Sequence, residues 1–126
     1  MTTGMNKVFL LGNLGNDPEL RQYDAGANLR FRLATTETWR DKATGELKDR
    51  TEWHNVTLWG KRAEALARIL TKGDRIMVEG RMETRSYEAD GTTKYITEVR
   101  VRDVHLAGRR RRAASDDPLE LTESAA

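Results

Sequence analysis

The chain of 126 residues has no cysteine, which excludes disulfide staples and thiolate metal sites. Long apolar runs are missing too. The N-terminal stretch MTTGMNKVFLLGNLG breaks at Gly12, Asn13 and Gly15 after a short apolar segment, so it has neither the length of a membrane span nor the form of a signal peptide. A soluble, cytoplasmic protein with no membrane partner is expected, of a length that suits one domain burying its own core.

A strong charge of either sign is also lacking, since 22 basic and 20 acidic residues give a net +2. The balance is uneven along the chain. Asp116, Asp117, Glu120 and Glu123 fall in residues 113–126, which hold no base, so residues 1–112 set sixteen acidic against twenty-two basic side chains and carry +6. A basic body suits a polyanionic ligand, although an excess of this size also occurs on ordinary solvated surfaces.

Aromatic residues make up only 6% of the chain, yet two of its tryptophans lie in the ten residues TEWHNVTLWG from Thr51 to Gly60. In a strand, side chains alternate between faces, so Trp53, Asn55, Thr57 and Trp59 share one face and His54, Val56 and Leu58 the other. The Val56 and Leu58 face reads as core. Two indoles are left on the polar face, where flat rings suit stacking on nucleic-acid bases at about 1–3 kcal/mol per base. A second sheet covering that face is the alternative.

Val8 to Leu14 reads as a first strand, ended by Gly15 and the turn residues Asn16, Asp17 and Pro18. After a loop carrying Asp24 and Gly26, Leu29, Phe31 and Leu33 alternate with Arg30 and Arg32, a strand half buried and half cationic. Arg40 to Arg50 is polar and contains Gly45, so it is read as the tip of a long hairpin with Trp39 at its near end. After the third strand, Ala63, Leu66, Ala67 and Leu70 mark one stripe of a helix of about three turns, with Lys72 and a C′ glycine at Gly73. A fourth strand follows, with Ile76, Val78 and Met82 inward and Glu79, Arg81, Glu83, Arg85 and Tyr87 outward. Asp90-Gly91 signals a turn, and the returning strand Tyr95 to Leu106 shifts parity between Val101 and Val104, as at a bulge.

The expected fold is therefore all-β with one helix. Five short strands with a helix between the third and fourth is the order of the OB-fold, a five-stranded Greek-key barrel whose open face binds oligonucleotides. Closure also removes exposed sheet edges. A flat sheet backed by the helix is the competing arrangement.

The blocks MNKVFLLGNLGNDPELR, LATTETWRDKATGE, TEWHNVTLWGK and KGDRIMVEGRMETRSY resemble, in order and spacing, the bacterial type of single-stranded DNA-binding protein. The resemblance covers about residues 5 to 108 and makes residues 1–108 the expected binding domain. It implies an OB-fold, a homotetramer, and single-stranded DNA wrapped without sequence preference during replication, recombination and repair. The setting would be bacterial and nucleoid-associated, or that of a phage or plasmid. No cofactor is implied. Residue by residue, the family's stacking positions fall on Trp39, Trp53, Trp59 and Tyr87; common members carry phenylalanine at the third and tryptophan at the fourth, so rings persist with their types changed.

Beside those rings, Arg40, Lys42, Lys61 and Arg85 are candidate phosphate contacts, with Arg30 and Arg32 extending the path. Lys72 also lies beside the aromatic positions, with the helix C-terminus as the alternative reason for its place. His54 has no second histidine nearby, and the resemblance places it at a subunit interface. The glycines of GNLG lack the Lys and Ser or Thr of a phosphate-binding loop and read as turn residues.

Two other function classes compete. Glu37, Asp41, Glu46 and Glu52 are carboxylates that a magnesium nuclease would need, but their spacing is irregular and no nucleophile–base pair is visible, so no enzyme is expected. An OB-fold adaptor of replication restart or an RNA binder would share the fold, since stacking does not discriminate sugars. Past the barrel, Arg109 to Arg112 precedes a polar, acidic segment expected to be a disordered tail over 109–126. The acidic tip with terminal Pro-Phe common in the family is not matched, so recruitment of replication and repair partners by that route is not expected.

Overall fold

The computed structural model describes residues 3–108, and the expectations for the 109–126 tail lie outside the described residues. The elements are β1 (Val8–Leu14), β2 (Glu19–Tyr23), β3 (Gly26–Arg40), β4 (Leu47–Trp59), α1 (Lys61–Ile69), β5 (Arg75–Ala89) and β6 (Thr92–Gly108). The strands follow the order β1-β5-β6-β4-β3-β2, and a further β1–β3 pairing closes five of them into a barrel. Closure is made by Asn13 opposite Ala34 and Leu14 opposite Leu33. The parallel pairing of β4 with β6, at Val56↔Val99 and Thr57↔Arg100, gives the Greek-key crossover.

The five barrel strands are those expected from the sequence pattern. The sixth, β2, is an addition that moves the helix to a place between the fourth and fifth strands. All five residues of β2 are exposed, so it carries no buried alternation for a sequence pattern to reveal. It pairs on the outside of β3, from Glu19↔Arg30 to Tyr23↔Gly26.

Leu29, Phe31 and Leu33 of β3, Val56 and Leu58 of β4, Ile76 and Val78 of β5, and Val99 and Val101 of β6 fill the interior. The helix plugs it with Ala63, while Leu66 and Ala67 pack against it. A nine-residue helix is too short to persist in water alone, so this packing holds it. It stops earlier than expected. Leu70 is already extended, so Gly73 is no C′ residue but sits at φ 94° in the turn that follows. Lys72 belongs to that turn as well, its backbone N–H bonded to Asp17 Oδ1 at 2.8 Å.

Two hairpins run past the barrel as arms. In the first, β3 and β4 stay paired to Arg40↔Leu47, which narrows the expected tip to residues 41–46. The second, β5 with β6, turns at Asp90 (φ 52°) and Gly91 (φ 74°), the two positive φ values of a type I′ turn. Arg102 is the extra residue of a bulge, since Glu79 faces Asp103 and Gly80 faces Val101. This is where the parity shift was expected. Met82 shares the inward parity of Val78 but lies beyond the barrel and is exposed, so the expectation of a core role fails there.

Candidate nucleic-acid interface

The outer face of the barrel is set by cross-strand register. Asn28, Arg30, Arg32 and Ala34 on β3 stand opposite Trp59, Thr57, Asn55 and Trp53 on β4, all with the parity that points away from Leu29, Phe31, Val56 and Leu58. Among the described residues no second sheet covers this face, on which Trp53 is 48% exposed.

Trp53 is fixed by its neighbours. The Arg32 guanidinium lies 4.5 Å from the ring centroid, a cation–π contact. At the edge of the ring is Gly15, where an ideal Cβ would come within 2.2 Å of Trp53 Cζ3. The same turn is tied to β3 by Gly15 N–H donating to Arg32 O at 2.8 Å and Arg32 N–H donating to Asn16 Oδ1 at 2.9 Å. Gly15 of GNLG is thus a turn residue, as expected, and also leaves room for the edge of an indole; Gly12 is not a turn residue, since it lies within β1, where a Cβ would come within 2.1 Å of Ala34 O, so close approach of β3 and not a turn requires it.

Trp59 is half-buried against Tyr23 of β2, with centroids 5.8 Å apart and planes at 47°. Sequence reasoning missed Tyr23, because its strand was missed. Tyr87 is 41% exposed on the second arm, with the Arg85 guanidinium 5.9 Å from its centroid. Trp39 is 45% exposed but stands apart from the others. It has the parity of Leu33 and Thr35, so it lies on the opposite side of the first arm from Trp53.

Between Trp59 and Tyr87 runs a polar chain. Asn28 Nδ2 donates to Thr57 Oγ1 (2.7 Å), Arg30 Nε donates to Asn28 Oδ1 (2.8 Å), and Arg30 Nη1 reaches Glu98 Oε2 (2.7 Å). From the other side Arg85 Nε donates to Glu98 Oε1 at 2.8 Å. Asn28, Thr57 and Glu98 are buried polar residues on a face that the alternation assigns to solvent. Each has its hydrogen bonds, which is what makes the burial tolerable.

The remaining candidates are more dispersed. Arg40 spans the hairpin tip, donating from Nη1 to Gly45 O at 2.6 Å. Lys42, in that tip, and Lys61, beside Trp59 at the start of α1, are exposed. The carboxylates considered for a metal do not converge: Asp41 bonds Lys48 at 2.8 Å and Glu52 bonds Arg50 at 2.8 Å. The Lys48 bond, helped by the Ala43 N–H, holds the Asp41 carboxyl below its ordinary range. His54 is partly buried, faces away from the indoles and bonds Thr35 Oγ1 through Nε2 at 2.9 Å.

A sequence profile of the single-strand binding protein family matches residues 5–107, all but the ends of the chain. The chain belongs to that family. Among solved structures, it is similar to a Plasmodium falciparum single-stranded DNA-binding protein in complex with single-stranded DNA, at 32% identity and TM-score 0.72, covering 84% of this chain and 97% of the other. It also resembles a deletion mutant of the single-stranded DNA-binding protein from Thermus aquaticus, at 36% identity and TM-score 0.70, over 82% of this chain but 50% of that one. The small single-stranded DNA-binding protein of Streptomyces coelicolor shares the fold at 24% identity and TM-score 0.64. Single-stranded DNA binding is the function of the family, and the rings and cations of the outer face are of the kind that it requires. Among the described residues, no helix is long and apolar enough to cross a membrane.

Proposed function

We propose that this protein coats single-stranded DNA without sequence preference during replication, recombination and repair, by sequestration and not by reaction. Bases stack on Trp39, Trp53, Trp59 and Tyr87, while Arg30, Arg32, Arg40, Lys42, Lys61 and Arg85 meet phosphates. The observation that carries this reading is Trp53: an indole half open to solvent, its edge against Gly15 and the Arg32 guanidinium over one face, so that an exposed ring and a cation are held together. Because Trp39 lies on the far side of its arm, a strand touching all four rings has to turn around that hairpin, in keeping with wrapping.

Nuclease protection of a labelled oligonucleotide, with unlabelled single strand, duplex and RNA as competitors, tests the proposal. Protection lost to competing single-stranded DNA but not to duplex supports it. Equal competition by RNA moves the reading to a general single-strand binder, and magnesium-dependent cleavage by the protein itself contradicts it.

The working form is proposed to be a homotetramer. Phe9 and Leu11 put large apolar side chains, 59% and 48% exposed, on the outer side of β1, where a second copy would cover them. His54 is proposed to lie at a subunit interface.

A further inference from the structure

We infer that Arg30, Arg85 and Glu98 act as one phosphate-binding unit of net charge +1, in which Glu98 is a positioning residue. The inference rests on the strand-binding reading above and goes beyond it, because it states how two of the proposed phosphate contacts work together. Arg30 comes from β3 and Arg85 from β5, at opposite sides of the outer face. The Glu98 carboxylate of β6 takes one guanidinium on each oxygen, Arg30 on Oε2 at 2.7 Å and Arg85 on Oε1 at 2.8 Å. Its side chain is only 7% exposed, whereas those of Arg30 and Arg85 are 31% and 41% exposed. The negative charge is thus buried beneath two positive ones that water, or a phosphate, still reaches.

Geometry fixes the pair as well as charge. Arg30 is held a second time by Asn28, itself locked to Thr57, and Arg85 has a second contact from Nη2 to Glu98 Oε2 at 3.4 Å. These bonds occupy Nε and Nη1 of Arg30 and Nε and Nη2 of Arg85, leaving Arg30 Nη2 and Arg85 Nη1 without a partner among the described residues. Two guanidinium donors are therefore presented from fixed positions between Trp59 and Tyr87, with one net positive charge to be neutralised. One backbone phosphate matches that charge.

Counting released counterions tests this. For single strands the slope of log K against log salt changes by roughly 0.7 for each phosphate neutralised. If the three residues form one unit, Arg30→Met or Arg85→Met leaves a single arginine cancelled by Glu98, and each variant makes the slope shallower by roughly 0.7. The triple change Arg30→Met, Arg85→Met, Glu98→Gln also costs roughly 0.7 and leaves no buried carboxylate uncompensated. Glu98→Gln alone frees the second arginine and steepens the slope by roughly 0.7. A purely structural role for Glu98 would alter affinity without moving the slope. The unit is refuted if the triple variant loses twice what a single one loses, if Glu98→Gln leaves the slope unchanged, or if the single changes have no effect. Thermal melting shows which variants are folded, and the single arginine changes alone suffice to reject the idea should the others not fold. Failure of the parent protein to bind oligo-dT would instead overturn the strand-binding reading.

Discussion

Substituting Gly15 by alanine changes a residue that carries no side chain to offer DNA, yet it should weaken binding. An ideal Cβ at this position would sit 2.2 Å from Trp53 Cζ3, whereas unstrained carbon contacts lie near 3.5–4.0 Å, so the indole has to withdraw by about 1.3 Å or more. Backbone strain plays no part, because Gly15 is not among the positive-φ residues. A displaced ring loses its register with the base and its contact with Arg32, now 4.5 Å from the centroid. The loss is bounded by the stacking itself, about 1–3 kcal/mol, or roughly 5- to 160-fold in affinity. The assay is an oligo-dT titration at fixed salt on four proteins: the parent, Gly15→Ala, Trp53→Ala and the double variant. If the reasoning holds, Gly15→Ala costs several-fold in the parent and nothing further once Trp53 is alanine. An equal loss in both backgrounds would show that the glycine acts through the turn and not through the ring.

Thr57→Val keeps the side-chain shape but strips buried Asn28 of the acceptor 2.7 Å away, and should destabilise the barrel by about 1–3 kcal/mol in urea unfolding; a neutral result would mean that the amide is satisfied by water. Asp41 should make the first hairpin tip acid-sensitive. Its carboxyl is held below the ordinary range by Lys48, so its contribution is in place above the unfolded-state value and is lost as pH falls through the lower folded-state value. The protection of the Ala43 amide, measured relative to its intrinsic exchange rate, should accordingly fall below about pH 4, and Asp41→Asn should remove that loss; unchanged protection would exclude the carboxyl as the cause. If the proposed tetramer forms, Phe9→Glu should split it in sedimentation and His54→Tyr should weaken it; no change with Phe9→Glu would contradict the proposed interface on β1.

Sequence pattern revealed β1 as a short apolar run closed by turn residues, and the other barrel strands through runs in which burial alternates, as in Leu29, Phe31 and Leu33 or Val56 and Leu58. It also placed Trp53, Trp59 and Tyr87 outward, by the same period. Exposure on both faces hid β2, and with it Tyr23; the Asp24 to Gly26 turn next to it was the available signal. Trp39 was found through resemblance to a family, since its strand parity is that of the core residues and exposure comes only from its position on an arm beyond the barrel. The buried chain of Thr57, Asn28, Arg30, Glu98 and Arg85 was the least legible part. Polar residues with outward parity read as solvated, and only the arrangement of β3, β4, β6 and β5 side by side brings residues up to 70 positions apart into one network.

Tryptophan fluorescence titrated with oligo-dT, against the matching duplex and at two salt concentrations, tests the central claim most directly. All three tryptophans of the chain are assigned to the stacking path, so binding has to be visible in their emission. The account predicts saturable quenching by the single strand, little response to duplex, and partial loss of affinity at the higher salt. Protection of the oligonucleotide without quenching, or equal quenching by duplex, would contradict stacking as the basis of recognition.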